Sequence, residues 1–254
     1  MKLKRKFKRA YSHKDAALYE HALDLYLNED KPDEALRILF KLANAHYIKA
    51  YCEIGVILYR ETQDVEKAQE WFVKAEKKGA LFGEGNYEYG MLHYLHKGDW
   101  RSGLKYLLKA AEQGYEVAYG DIGAILYLYE SDIDQAERWF AKAVDAETLL
   151  APAAYYYGQL LMLKRNEWEK SKKYFKQSAE EGFEPAYEEY ASILYLDKID
   201  VEEAEMYYEK ADVAGFLTAP HAHNYGELLI KERNDTEKGK RYLDLAEADG
   251  YYEV

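Results

Sequence analysis

Four histidines are the residues whose type and spacing come closest to a chemical motif. His93 and His96 stand one helical turn apart, a spacing that can supply two metal ligands. No cysteine or acid with the spacing of a metal motif accompanies them, so the sequence predicts no metal site. His221 and His223 stand at the predicted start of a helix, which favours a packing or surface role.

The remaining reactive side chains do not indicate a catalytic site. Cys52 is the single cysteine, so an internal disulfide framework is excluded, a reducing compartment is indicated, and a packed thiol is expected. A run of acids, read as a solvated face able to receive a basic partner, comprises Glu180, Glu181, Glu184, Glu188 and Glu189. Nucleophile-elbow, phosphate-loop and zinc-protease motifs do not occur in the sequence. We therefore predict a non-enzymatic protein without a cofactor, and a hydrolase is the least favoured alternative.

These residues are positioned by a repeating pattern anchored on a small residue. The anchors are separated alternately by 33 and 35 residues, so that alternate anchors are always 68 apart. Thirteen residues before each anchor stands a second small residue, and three after it stands a large one such as Trp139. A period in the thirties is typical of stacked helical hairpins. The seven anchors are Ala35, Ala68, Gly103, Ala136, Ser171, Ala204 and Gly239.

Helix start and stop signals agree with this register. Each repeat is expected to contain a helix A with the first small residue and a helix B with the anchor, packed closely with the large residue beside them. Asp stands four residues before five of the anchors, where it can cap helix B. Glycine stands eleven residues after five of them, where a left-handed C-cap needs it. All four prolines stand where a helix should begin. The sequence thus predicts an all-α protein of seven helix pairs.

Charge separates the first residues from the rest of the chain. Residues 1–14 carry seven Lys or Arg and no acid, whereas residues 15–254 carry 28 basic and 47 acidic residues, a net charge of −19. We expect residues 1–14 to form a flexible tail, which could meet phosphate, an anionic membrane or the acidic body itself. Residues 15–254 form the predicted repeat domain.

The composition also limits location and partners. An acidic body disfavours nucleic acid as the main ligand. The chain contains no apolar run of about 18 residues, and no apolar stretch follows the basic start. A cytoplasmic protein without a membrane span is therefore expected.

The helix B segments resemble Sel1-like repeats, which are relatives of tetratricopeptide repeats. The resemblance lies in WFVKAEKKG, YLLKAAEQG and WFAKAVDAE, and in the helix A segments IGVILY, YGMLHY and IGAILYL, and it covers residues 15–254. It implies a right-handed α/α solenoid that acts as an adaptor for other proteins. Some members of the family resemble immunity proteins against secreted toxins.

Analogy with tetratricopeptide repeats places a binding groove on helix A, at three before, one after and four after its small residue. The main hypothesis is a scaffold that binds a protein or peptide on its concave helix A face, with apolar anchors on repeats two to four and a basic end near Glu188 and Glu227. The alternative is an immunity protein that neutralises a basic toxin. Core packing of the tyrosines instead of binding also remains open. The predicted groove residues are Tyr59, Tyr87, Met91, Tyr94, Tyr127, Tyr155, Gln159, Glu188, Tyr195 and Glu227.

Overall fold

A computed structural model describes residues 12–251, and these residues form fourteen α-helices and no strand. This confirms the prediction of an all-α chain of seven helix pairs. The odd-numbered helices are the predicted helices A and the even-numbered ones the helices B. Their bounds are α1 His13–Leu27, α2 Pro32–Asn44, α3 Lys49–Ile57, α4 Val65–Lys77, α5 Gly83–Met91, α6 Trp100–Glu112, α7 Ala118–Ile125, α8 Ile133–Asp145, α9 Ala151–Arg165, α10 Trp168–Glu180, α11 Tyr187–Leu196, α12 Val201–Ala214, α13 Ala219–Glu232 and α14 Thr236–Ala248.

The helices belong to two compact units. The first unit ends at Ala118 and contains α1–α6, and the second begins at Tyr119 and contains the helices from there to α14. The tail predicted over residues 1–14 lies mostly outside the described residues. Within them, Ser12 caps α1 and His13 is its first residue, two positions before the predicted start of the repeats. No helix in the described range is both long and apolar enough to span a bilayer.

Aspartate caps start the helices B as predicted. In each of the five, the carboxylate accepts a hydrogen bond from the backbone N–H three residues on, as Asp132 does from Gln135 at 3.0 Å. The two repeats with another residue at this position, Lys31 and Glu167, show no side-chain cap. A carboxylate at this point also meets the positive end of the helix dipole. The other four capping residues are Asp64, Asp99, Asp200 and Asp235.

A left-handed residue ends every helix B. The five predicted glycines, eleven residues after their anchors, all have positive φ. The two remaining repeats adopt the same conformation without glycine, at His46 (φ 64°) and Glu147 (φ 56°). Thr148 N–H still closes the turn on the carbonyl of Ala143 at 2.8 Å. The turn is therefore imposed by the packing of the repeats rather than by glycine alone.

In repeats two, four and five, the small residue of helix A fits against a buried ring on helix B. A Cβ atom at Gly123 would lie 2.8 Å from the Phe140 ring, so only glycine allows these helices to approach so closely. Phe140 is fully buried, and it also stacks on Tyr157 of the next helix A at 5.0 Å. The prediction that Trp139 fills this space is wrong. Trp139, the residue before Phe140, points to a different side of α8. It is half-buried there, and the Lys142 ammonium group lies over its ring.

Aromatic triads join pairs of repeats at a period of 68 residues. Each triad runs from a helix B ring to the tyrosine before the small residue of the next helix A, and then to the large residue of the following helix B. Neighbouring ring centroids are 4.5 to 5.2 Å apart. The triads are Phe72–Tyr89–Tyr106, Phe140–Tyr157–Tyr174 and Tyr208–Tyr225–Tyr242.

These contacts show that the tyrosine before the small residue of helix A belongs to the core. All four tyrosines at this position are buried, as are the aliphatic residues that replace them, such as Ile54 and Ile122. The four are Tyr89, Tyr157, Tyr190 and Tyr225.

We expect Phe140→Ala to lower the free energy of unfolding by about 3–5 kcal/mol, because a fully buried ring leaves a cavity. Trp139→Ala, on the neighbouring half-buried ring, is the matched control and should cost less. Urea denaturation of both variants measures the difference. An equal loss for the two would contradict the assignment of Phe140 as the packing residue.

We expect Glu147→Gly to stabilise the protein by about 1 kcal/mol, because a left-handed conformation is costly for a residue with a Cβ atom. Gly182→Ala places the opposite change at the equivalent position of the next repeat and should destabilise by a similar amount. Thermal denaturation of both variants tests the pair. A loss of stability in Glu147→Gly would show that its side chain has a role of its own.

Candidate functional site

In the first unit, two of the predicted groove residues lie on α5 and the other two lie in the turns that follow α3 and α5. All four are half-buried, and two of them meet aromatic neighbours. The Tyr59 ring is 5.5 Å from the His96 ring, and the Tyr87 ring is 5.2 Å from the Tyr115 ring. Their role in binding stays a prediction. The four residues are Tyr59, Tyr87, Met91 and Tyr94.

Three helices A end in a π-helical turn, which the regular spacing of the sequence did not predict. These turns follow α3, α5 and α7 directly and cover Leu58–Thr62, Leu92–His96 and Leu126–Glu130. Tyr59, Tyr94 and Tyr127 lie in them, each four residues after the small residue of its helix A. Because a π turn widens the helix and rotates the side chains that follow, it departs from the i, i+4, i+7 geometry assumed for the groove. Such turns occur often at functional sites.

Arg60 connects the helix A face of the first unit. Its guanidinium contacts one oxygen of Glu88, Oε1, through both Nε at 2.7 Å and Nη2 at 2.5 Å, and it contacts Glu84 through Nη1 at 2.6 Å. Glu88 is buried, and burial raises the pKa of its carboxyl group even beside the arginine. Hydrogen bonds between an ionised donor and a carboxylate are stronger than neutral ones. Arg60 therefore ties the end of α3 to α5.

A second carboxylate on this face has no cation at salt-bridge distance among the described residues. Glu53 is half-buried on α3 and accepts a hydrogen bond from the Tyr19 hydroxyl at 2.8 Å. Burial, with a further contribution from the charge of Glu84, raises the pKa of Glu53. Together with Glu84 and Glu88, it leaves the acids of this face in excess over their neighbouring cations, Arg60 and Lys49.

In the second unit, the predicted groove residues lie on α9, α11 and α13 and in the turn after α7. Glu188 is buried and the other five are half-buried. The Tyr155 hydroxyl accepts a hydrogen bond from Gln159 Nε2 at 2.8 Å, and its ring packs 5.5 Å from Phe183. Burial raises the pKa of Tyr155, and so do the charges of Glu189 and Glu188. The other four half-buried residues are Tyr127, Gln159, Tyr195 and Glu227.

His221 on α13 is held between two carboxylates of α11. Its Nδ1 lies 3.2 Å from Glu188 and its Nε2 lies 3.5 Å from Glu189. Glu188 also accepts the backbone N–H of Thr218 at 2.6 Å. Burial lowers the pKa of His221, but the hydrogen bonds and charges of the two acids outweigh it and raise the pKa to about 9. The interpretation of this acidic run as a wholly solvated face is therefore wrong, because two of its members are used inside the protein.

A row of leucines lies exposed at one position of helix A, five residues after its small residue. In the second unit Leu163 is 60% exposed and Leu196 is 55% exposed. Side chains at this position share a helix face with the predicted groove stripe. A leucine on a helix is ordinarily buried in the core. An exposed leucine that recurs at one position of several repeats therefore marks an apolar edge that no other described element covers. The leucines at this position of the repeat register are Leu27 and Leu95 in the first unit and Leu128, Leu163 and Leu196 in the second.

Sequence reasoning missed both this row and the ionic contacts, although the repeat register carried a signal for them. Leucine recurs at the same offset in five repeats, and an acid recurs two residues before the small residue of helix A. Reading each column down the repeats would have found them. No pattern in the sequence identifies Arg60 or His221 as the partner of these acids. The acidic column is Glu20, Glu53, Glu88, Asp121 and Glu189.

The other candidate residues take structural positions. The His93 ring packs against Tyr89 at 4.7 Å, and burial lowers its pKa. His223 packs against Tyr251 at 5.2 Å, and Cys52 is buried with its pKa raised to about 12, chiefly by burial. Within residues 12–251, no three His, Cys, Asp or Glu side chains come together in a way that could hold a metal ion.

Comparison with solved structures decides the fold class. A Sel1 repeat protein from Oxalobacter formigenes superposes with a TM-score of 0.60 at 23% identity, over 91% of this chain and 99% of that one. The chain has the fold of the Sel1-like and tetratricopeptide repeats. The protective antigen c5321 of uropathogenic Escherichia coli, which displays an SLR fold, gives 0.64 at 19% identity over 93% of this chain and 54% of that one. A chain of the APC/C hetero-tetramer Cut9-Hcn1 gives 0.60 at 12% identity, over 93% of this chain and 46% of that one.

Neither a family model nor a curated protein matches this chain at the level of sequence. The structural similarity therefore rests on helix geometry and repeat register rather than on shared residues.

We expect the stability contributed by His221 to disappear as the pH rises. Its folded pKa of about 9 lies above the ordinary value of 6.5, so the contribution is complete below about pH 6.5 and is lost as the pH rises through 9. The shift corresponds to at most about 3 kcal/mol. Urea denaturation of the wild type and of His221→Gln at pH 6 and pH 9.5 isolates this term. The difference in free energy of unfolding between the wild type and the variant should be smaller at pH 9.5 than at pH 6. An equal difference at the two pH values would contradict the assignment.

Proposed function

We propose that this Sel1-like protein is a non-enzymatic scaffold that binds a protein or peptide partner through its helix A faces. The observation that carries the proposal is the exposed leucine row beside half-buried tyrosines at the same helix positions of successive repeats. Leucine and tyrosine supply the apolar and amphipathic contact area that protein interfaces use.

The helix A face of the second unit is the better defined of the two. Tyr155 and Tyr195 lie half-buried on α9 and α11, with Leu163 and Leu196 exposed near the ends of the same helices. Burial and the charge of Glu227 raise the pKa of Tyr195, which places an acid close to this tyrosine. A surface of this composition suits a segment that presents aliphatic side chains together with a cation.

Similarly folded proteins give general support for a protein partner. The Cut9-Hcn1 structure shows a chain of this fold in a hetero-tetramer. Repeat folds of this kind present a long row of equivalent positions, which fits extended or helical partners. The chemistry of the face sets the class of partner proposed for this chain.

The competing function is that of an immunity protein, in which the acidic body would cover a basic toxin such as a nuclease. It predicts a partner that is a folded basic protein, and binding that weakens steeply with salt. The scaffold proposal predicts binding that depends on the leucine row and only moderately on salt. A capture experiment from native cells, followed by salt titration of the purified pair, separates the two functions.

We expect Leu163→Asp to weaken partner binding at least tenfold without loss of helix content, since the side chain is exposed and its replacement leaves no cavity. Val213→Asp on α12 is the matched control, because Val213 is 89% exposed on a helix B. Calorimetric titration of the captured partner against both variants, with circular dichroism as a folding check, gives the comparison. Equal affinity of Leu163→Asp and wild type would remove this face from the proposal.

A further inference from the structure

The helix A face of the first unit has exposed leucines in its first and third repeats and carries more acids than cations. Leu27 is 67% exposed and Leu95 is 60% exposed, at equivalent positions on either side of Arg60 in the repeat register. Glu53 is half-buried on the same face and contacts no cation at salt-bridge distance within residues 12–251. A surface of this kind favours an occupant that carries cations and apolar side chains together.

The chain itself contains such a segment, directly before α1. Residues 1–11 read MKLKRKFKRAY, with six Lys or Arg, no acid, and Leu3 and Phe7 placed among the cations. The composition matches the face in both respects, because cations can meet the acids while the apolar side chains meet the exposed leucines. The opposite charges of the two parts make contact favourable at physiological salt.

The length of the segment is sufficient to reach the face. Eleven residues span at most about 36–40 Å when extended. The described chain starts at Ser12, the cap of α1. From α1 to α5 there are two steps between neighbouring helices A, or about 20 Å at the usual 8–10 Å helix spacing. The segment can therefore reach the acids on α3 and α5 without any rearrangement of the helices.

We propose that residues 2–9 occupy the helix A face of the first unit in cis, as an internal competitor for basic partner segments. The proposal rests on the proposed use of the helix A faces as binding surfaces and adds their regulation. A tethered segment acts at an effective concentration in the millimolar range, so even weak contacts keep the face occupied. A partner, or a modification that removes positive charge from the segment, would release it.

A nitroxide on Lys2→Cys in the full chain tests occupancy directly. Cys52 is buried, so the label attaches to the introduced cysteine alone. Paramagnetic broadening is expected at backbone amides around Glu53 and Glu84 and absent around Glu70, which lies on α4, a helix B. It should vanish in 1 M salt, where the Debye length is about 3 Å. Broadening confined to the start of α1 would overturn the proposal.

A mixed sample distinguishes a second copy from the chain's own segment. Spin-labelled chains without isotope are added to isotope-labelled chains without a spin label. Absence of broadening in this sample supports occupancy in cis, and broadening equal to that of the single-species sample would overturn it in favour of exchange between copies.

A peptide competition supplies the second measurement and needs no external partner. A fluorescent peptide of residues 1–11 should bind the full chain carrying K4E, R5E and K6E at least tenfold more tightly than it binds the wild type. Adding Glu84→Lys to that chain should remove binding, whereas adding Glu70→Lys, on an exposed residue of α4, should not. Equal affinity for the wild type and the charge-reversed chain would overturn the proposal. That result would leave the second-unit test with Leu163→Asp untouched.

Discussion

The close approach of helix A to helix B, which a missing Cβ atom permits in five of the seven repeats, is the contact on which the rest of the packing depends. Gly123 permits Phe140 to lie flat against α7, and the same ring then stacks on Tyr157 of the next helix A. A single side chain thus packs within one repeat and across to the following one. Stability is transmitted from neighbour to neighbour in this way, as expected of a repeat array.

Buried aromatic side chains explain only part of the high tyrosine content. Those next to the small residue of helix A are buried in the core, where the rings of Tyr89, Tyr157 and Tyr225 stack in the triads. The tyrosines three residues after the anchor of helix B are used in a similar way: Tyr106 and Tyr242 each donate a hydrogen bond to an acid of the preceding helix B, Glu76 at 3.0 Å and Asp212 at 2.7 Å. The tyrosines three before or four after the small residue, such as Tyr155 and Tyr195, remain partly exposed and form the candidate surface.

The elements that depend on local chemistry could be predicted, because their determinants lie within a few residues. Asp132 caps α8 whatever surrounds it, and Gly182 accepts a left-handed turn at little cost. The exact packing residue could not be predicted, since Trp139 and Phe140 are adjacent and one helical position decides which enters the core. His221 meets Glu188 and Glu189 across 32 or more residues of sequence, and no local signal encodes such a pair.

The candidate surface shows the same limit. The positions of its residues on helix A follow from the repeat register. The charge of the surface depends on which of its acids form ion pairs. Arg60 engages two carboxylates of α5, whereas Glu53 receives only a tyrosine hydroxyl, and the sequence of α3 alone does not distinguish these outcomes.

The triads recur at 68 residues, and so do two surface clamps, in which Arg165 binds Asp134 and Glu137 and Arg233 binds Glu202 and Glu205. Two kinds of repeat therefore alternate, with unlike junctions on their two sides. Adding or removing 68 residues would leave every junction between repeats of the same kind as before and preserve every aromatic stack. Adding or removing a single repeat would instead place an aromatic surface against one that does not match it. The natural unit of growth for such a protein, in evolution or in engineering, is the pair of repeats.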